Sequence, residues 1–212
     1  LVTGVQTCAL PIYLTNGEEY EQPAGLVVLA AYALNNVHLM LLSGIGEAYD
    51  PVSQKGLVGK NYCYQTGVNT NLFFEGKNFN PFMSAGGNRF AADDFNTNWE
   101  WDRGPHKFIG GFSLSSGFNT ALAIGHRPVP RGTPQWGTEW KAATSKWYQT
   151  AMNIGASGGV MANRYNYYDL DPTYRNAFGL PMMRMTFDYK DNEHKMGRHA
   201  AEQLNKLAKS ID

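Results

Sequence analysis

Two periods of apolar residues divide this chain. In its first third, Val37, Leu39, Met40, Leu41 and Leu42 follow Asn35 and stop at Ser43-Gly44, which predicts a helix capped by Asn35 and ended by glycine. Immediately before it, Gly25–Ala31 reads GLVVLAA, a short continuous apolar run that suits a strand buried on both faces, as in a parallel sheet covered by helices. Asn16-Gly17 lies between the β-capable runs of Tyr13–Tyr20 and predicts a tight hairpin. After Gly67, alternation replaces helical periodicity. Met183–Lys190 is apolar and polar in strict turn, the pattern of a strand with one buried and one wet face. Val68–Phe74, Lys107–Leu114 and Tyr148–Ile154 are further strand candidates, punctuated at Gly86-Gly87, Gly104-Pro105, Pro128–Pro134 and Gly158-Gly159. Lys141–Lys146 belongs to a short helix opening near Thr138. Over Asn192–Asp212, Met196, Ala200, Leu204, Leu207 and Ile211 recur at three- and four-residue spacing, giving a helix with one apolar stripe that needs a partner surface.

The expected fold is therefore α/β plus α+β. An α/β portion spans residues 13–67, an antiparallel sheet 68–191, and a closing helix 192–212. Composition narrows the class further. The 212 residues carry 18 Lys+Arg against 18 Asp+Glu, so no basic excess marks a nucleic-acid binder. Charged residues make up 17%, below the roughly 25% typical of soluble domains. The longest apolar stretch, Leu26–Leu42, is broken by Asn35, Asn36 and His38, short of the roughly 18 residues of a membrane span. Two cysteines, Cys8 and Cys63, cannot build a disulfide scaffold. Leu1–Ile12 lacks the charged start of a secretion signal and resembles translated sequencing adapter, so residues 1–12 are read as a non-native scar. The closing helix simply stops. The expectation is a fragment cut at both ends, unstable in isolation because that helix and the Gly25–Ala31 strand lack neighbours.

Ser43-Gly44-Ile45-Gly46 can be a glycine-rich helix stop; it is not a phosphate loop, because no GxxxxGK[ST] or correctly placed GxGxxG is present. Its surroundings are more specific. Leu29–Gly46 (LAAYALNNVHLMLLSGIG) followed by Val58–Gln65 (VGKNYCYQ) resembles the glucose–methanol–choline family of flavin oxidoreductases. Leu34-Asn35-Asn36 stands where that family usually has Gly-Ser-Pro, which is similar to its gluconate 2-dehydrogenase and fructose dehydrogenase large-subunit branch. Gly132–Lys141 (GTPQWGTEWK) and Asp169–Glu193 resemble the same branch. The resemblance implies the end of a Rossmann-like FAD-binding domain packed on a substrate domain, and oxidation of a sugar, sugar acid or polyol by hydride transfer to FAD. It places Ala30, Ala31, Asn61 and Tyr62 beside the flavin: the alanines leave room at a strand end, the amide can bond cofactor oxygens, and the phenol can stack or donate. It also implies a cytochrome c subunit, a small export subunit and a periplasmic, membrane-associated setting. The family's phosphate loop and catalytic histidine pair are not among these residues, so no catalytic residue is assigned and the fragment is expected to be inactive.

His38, His106, His126, His194 and His199 form no metal-ligand pattern and are read as structural or solvated. Cys63 is read as a buried small hydrophobe, and Asp169–Pro172 as a capped turn rather than a cation site. Trp99, Trp101, Trp136, Trp140, Trp147, Tyr165, Tyr167 and Tyr168 read as loop anchors. Exposed aromatic faces stacking on a carbohydrate would instead indicate a non-enzymatic carbohydrate-binding β module.

Overall fold

The structure, a computed structural model, describes residues 12–15, 17–81, 89–96, 106–118 and 128–211. The chain divides into two compact units. One is Leu1–Lys60 with Tyr167–Thr186; the other is Asn61–Asn166 with Phe187–Asp212. The boundary thus falls between Lys60 and Asn61, and Tyr167–Thr186 leaves the expected sheet region to group with the first unit.

The first unit opens with the expected hairpin. Strands β1 (Ile12–Thr15) and β2 (Glu18–Glu21) pair antiparallel, with Gly17 at φ 85° in the turn. Helix α1 (Ala33–Leu42) starts two residues before the expected Asn35 cap. Its end is as the sequence indicates. Gly44 takes φ 63°, and Ile45 and Gly44 donate back to the Met40 and Leu41 carbonyls, satisfying the last turn. The expected Gly25–Ala31 strand does not form: the run is irregular, largely exposed, and pairs with no strand among the described residues. A strand buried on both faces needs ladder partners and covering helices, and its apolar side chains find neither here. Asn36 supplies a substitute. Its Oδ1 accepts from the Ala31 N–H at 2.9 Å while its Nδ2 donates to the Leu29 carbonyl at 2.9 Å, so one amide acts as a single paired residue. Between residues 13 and 64 the described chain thus holds one hairpin, helix α1 and an isolated parallel bridge between Ala48 and Val58, and does not itself show a Rossmann-like sheet.

Strands β7 (Tyr167–Arg175) and β8 (Pro181–Thr186) form a second antiparallel hairpin with a register shift between Leu170 and Arg175. The Asp171 carboxylate accepts from the N–H groups of Thr173 and Tyr174 at 2.8 Å each, making the capped turn that Asp169–Pro172 suggests. Those two bonds hold its carboxyl below the usual range, an effect that needs no cation. Asp169 pairs with Arg184 across the hairpin, and His38 bonds the Pro181 carbonyl at 2.8 Å.

The second unit holds the core. A four-stranded antiparallel sheet runs β3 (Gln65–Phe73), β6 (Ala151–Gly159), β5 (Phe112–Phe118), β4 (Ala91–Ala92). The expected strands at Lys107–Leu114 and Tyr148–Ile154 start later than their alternation suggested. Lys107 sits at φ 50°, off the strand region, and residues 148–150 form a turn after helix α2 (Gly137–Trp147). Helix α3 (Asp191–Ser210) lays Met196, Ala200 and Leu204 on Phe112, Leu114, Ile154 and Ala156 of the sheet. The closing helix therefore has its partner surface, contrary to expectation. At about 25 cal/mol per Å² of apolar area, such side chains each gain roughly 1.5–3 kcal/mol by burial. No described helix is long and apolar enough to cross a membrane.

The alternation of Met183–Lys190 persists, yet the strand ends at Thr186. Beyond it, buried Asn166 takes over the pairing. Its Oδ1 accepts from Asp188 N–H at 3.0 Å and its Nδ2 donates to Asp188 O at 3.2 Å. Asn192 repeats the arrangement on Ile109, at 2.7 and 3.2 Å.

Candidate functional site

The sheet of the second unit has two unlike faces. Its inner rows are Val68 and Leu72, Phe112 and Leu114, and Met152, Ile154 and Ala156, all in the core. Period-two geometry sends their neighbours to the opposite face. Register places Gly67, Ser157 and Ser113 in one row, Asn69, Gly155 and Ser115 in the next, and Asn71, Asn153 and Gly117 in the third. Every side chain in these rows is an amide, a hydroxyl or a hydrogen. Asn153 donates to the Thr70 carbonyl at 3.2 Å, which fixes its amide. At one end Gln65, Asn96, Ser113 and Ser157 line an open groove of about 290 Å³. At another edge the Arg89 Nε lies 3.8 Å from where a Cβ on Gly117 would stand, an ordinary van der Waals approach that puts the guanidinium beside this row.

Chemically this face can bond hydroxyls in either sense, since amides and hydroxyls both donate and accept. It holds no group that titrates near neutrality, so it can recognise an alcohol without taking its proton. Arg89 adds a cation at its margin.

The four site residues expected from the sequence fall in separate units. Ala30 and Ala31 belong to the first, exposed on the irregular run that Asn36 holds. Asn61 and Tyr62 belong to the second. Asn61 is exposed at φ 60°, after Gly59 at φ 91°. The Val58–Asn61 motif thus has a backbone explanation: both residues occupy the left-handed region that glycine and asparagine tolerate best. A Cβ on Gly59 would stand 2.2 Å from the Tyr168 carbonyl oxygen, whose N–H donates to Gly59 O at 2.8 Å. Tyr62 is half-buried, stacked on Tyr64 at 6.3 Å and edge-on to Phe187 at 5.5 Å, and its N–H donates to the Asn166 carbonyl at 2.8 Å.

No family model matches the chain. A curated relative does. The chain is similar to a flavoprotein dehydrogenase. It is 41% identical over 198 residues to the gluconate 2-dehydrogenase flavoprotein of Pantoea cypripedii, across 92% of this chain and 32% of that protein. The chain spans about a third of the length of that relative.

Cys63 is exposed rather than buried, its thiol turned to the Asn61 carbonyl at 3.2 Å. Of the aromatic loops, Trp99 and Trp101 lie outside the described residues, as do Cys8 and His126. Trp140 and Trp147 are half-buried and Tyr168 is buried, as anchors should be, whereas Trp136 is 83% exposed. Sequence reading missed the polar rows and the three latching asparagines, Asn36, Asn166 and Asn192. The alternation Gly67-x-Asn69-x-Asn71 carried the first signal, a strand whose second face is polar yet uncharged.

Proposed function

We propose that this chain is part of an FAD-dependent dehydrogenase that oxidises an alcohol group of a sugar, sugar acid or polyol, and that its polar sheet face recognises the substrate hydroxyls. The observation that carries this reading is three adjacent rows of serine, asparagine and glycine on one sheet face, without a formal charge and bordered by Arg89. Neutral hydroxyls match the rows, and a sugar-acid carboxylate matches the guanidinium. Similarity to a gluconate 2-dehydrogenase flavoprotein supports the same substrate class. The family reading is a glucose–methanol–choline oxidoreductase.

The described residues fit FAD at its margins only. Ala30 and Ala31 are small and exposed, and Asn61 offers an amide. No glycine-rich strand–loop–helix cradle for a pyrophosphate occurs among the described residues. FAD, when bound, supplies the hydride acceptor. This chain's residues would bind and orient the alcohol, while the proton needs a base that the polar face does not hold. The 212 residues alone should therefore be inactive. A cytochrome c electron acceptor, a small export subunit and a periplasmic setting complete the proposal.

The test is to express this sequence extended by its flanking coding sequence to the relative's length. The product should be yellow and reduce a dye with gluconate or a related polyol. Asn69→Ala and Ser157→Ala should raise KM more than they lower kcat, and Arg89→Ala should weaken acids more than neutral polyols. A folded, colourless product without dye reduction would refute the reading. If that product bound oligosaccharide through exposed Trp136, the carbohydrate-binding module would be the better account.

A further inference from the structure

Helix α3 carries a buried imidazole that the polar face does not use. His199 is 6% exposed and stands among Phe95, Phe108 and Phe112, with ring centroids 5.9–6.4 Å away. The ring of His106 lies against it, centroids 3.6 Å apart and planes inclined by 45°. His106 comes from the loop leading into β5, and three residues later Ile109 is gripped by Asn192 at the start of the same helix. Residues 106–109 are thus fastened to α3 twice, once by an amide that does not titrate and once by two rings that do.

We propose that the His106–His199 stack is an acid-released clasp, holding residues 106–109 and the start of β5 on helix α3 while the buried His199 ring is neutral. The phenylalanine cage around His199 offers its charged form no solvation, and His106 stacked against it disfavours a positive charge there further. Among the described residues, the titratable groups acting on His199 are His106 on the loop and Glu202 and Lys206 on its own helix. Phe95, Phe108 and Phe112, from the other elements packed on it, carry no charge. Burial first, then His106 and Lys206, hold the His199 imidazolium below its ordinary range; Glu202, 3.8 Å from Nδ1 and well exposed, opposes them only in part. A neutral buried histidine contributes stability fully above the unfolded imidazole value, and loses it as pH falls because the unfolded chain takes the proton first. The clasp matters for the polar face because β5 begins at Phe112 and carries Ser113 and Ser115. The inference stands whether or not the chain belongs to a flavoprotein.

The experiment is a histidine-resolved NMR titration of the 212-residue chain, with thermal unfolding at roughly pH 7.5 and 5.5, either side of the ordinary imidazole value near 6.5. His199 should titrate below that value, and His106→Gln should move its midpoint up. Glu202→Gln, on an exposed position, should move it further down. The melting midpoint should fall by roughly 2–4 °C between the two pH values, and by measurably less in His106→Gln, where burial alone still acts on His199. An ordinary His199 titration, one insensitive to both substitutions, or a melting midpoint equal at both pH values would overturn the proposal.

Discussion

Replacing Asn166 with alanine removes a side chain whose two bonds stand in for a missing strand. The amide accepts from Asp188 N–H at 3.0 Å and donates to Asp188 O at 3.2 Å, while being 1% exposed itself. Each such bond contributes about 0.5–1.5 kcal/mol net, so the pair is worth about 1–3 kcal/mol. Asp188 is exposed, and water can reclaim part of what its backbone loses. The void left by the carboxamide acts in the opposite direction, so a loss of about 2–3 kcal/mol is expected. In a chain of this size that lowers the melting midpoint by roughly 4–12 °C. Urea unfolding followed by circular dichroism measures it, and amide exchange at Asp188 locates it. Asn166→Asp is the sharper variant. It keeps the acceptor for Asp188 N–H but opposes a carboxylate oxygen to Asp188 O, so at neutral pH it should be at least as damaging as alanine. Protonation returns a donor, and the deficit relative to the unsubstituted chain should shrink on acidification. If alanine costs under about 0.5 kcal/mol, the amide is not holding this segment and the reasoning fails.

Two more substitutions bear on neighbouring features. Gly59→Ala places a Cβ 2.2 Å from the Tyr168 carbonyl oxygen at φ 91°, so it should destabilise by at least about 2 kcal/mol in urea titration; a neutral result would refute the close approach. Glu193 is 3% exposed: burial raises its pKa, but N–H bonds from Met161 and Lys190 and the Asn192 amide outweigh this and leave the carboxyl below its usual range. Its stabilisation is thus present above the unfolded value of about 4.3 and fades as pH falls below it. Glu193→Gln should cost about 1–3 kcal/mol at neutral pH and flatten the acid limb of the urea midpoint against pH; a limb unchanged in steepness would count against this assignment.

What the sequence disclosed followed the range of the forces involved. Helix α3 was legible because its stripe of Met196, Ala200 and Leu204 is a local period, and so was the Gly44 stop, which depends on a few adjacent residues. The Gly25–Ala31 strand was misread because an apolar run says only that burial is favoured, not that ladder partners exist. Cys63 failed likewise: burial preference is an average, and here Cys63 sits exposed just past the left-handed turn at Asn61 while its neighbour Tyr62 is half-buried. The polar face could be seen only once register had aligned three strands from distant parts of the chain. Asn166 and Asp188 meet across 22 positions, and nothing local marks either as the other's partner.

Asn36, Asn166 and Asn192 each do with one carboxamide what a neighbouring strand does with a row of peptides. That gives the molecule a chemical clock. Asparagine is among the residues that heat degrades, and hydrolysis of its amide leaves an acceptor where the latch needs a donor. Peptide units in a ladder have no equivalent weakness. Prolonged warmth would therefore age this fold at three named points, and two of them, Asn166 and Asn192, hold backbone at the start of the helix that closes its core.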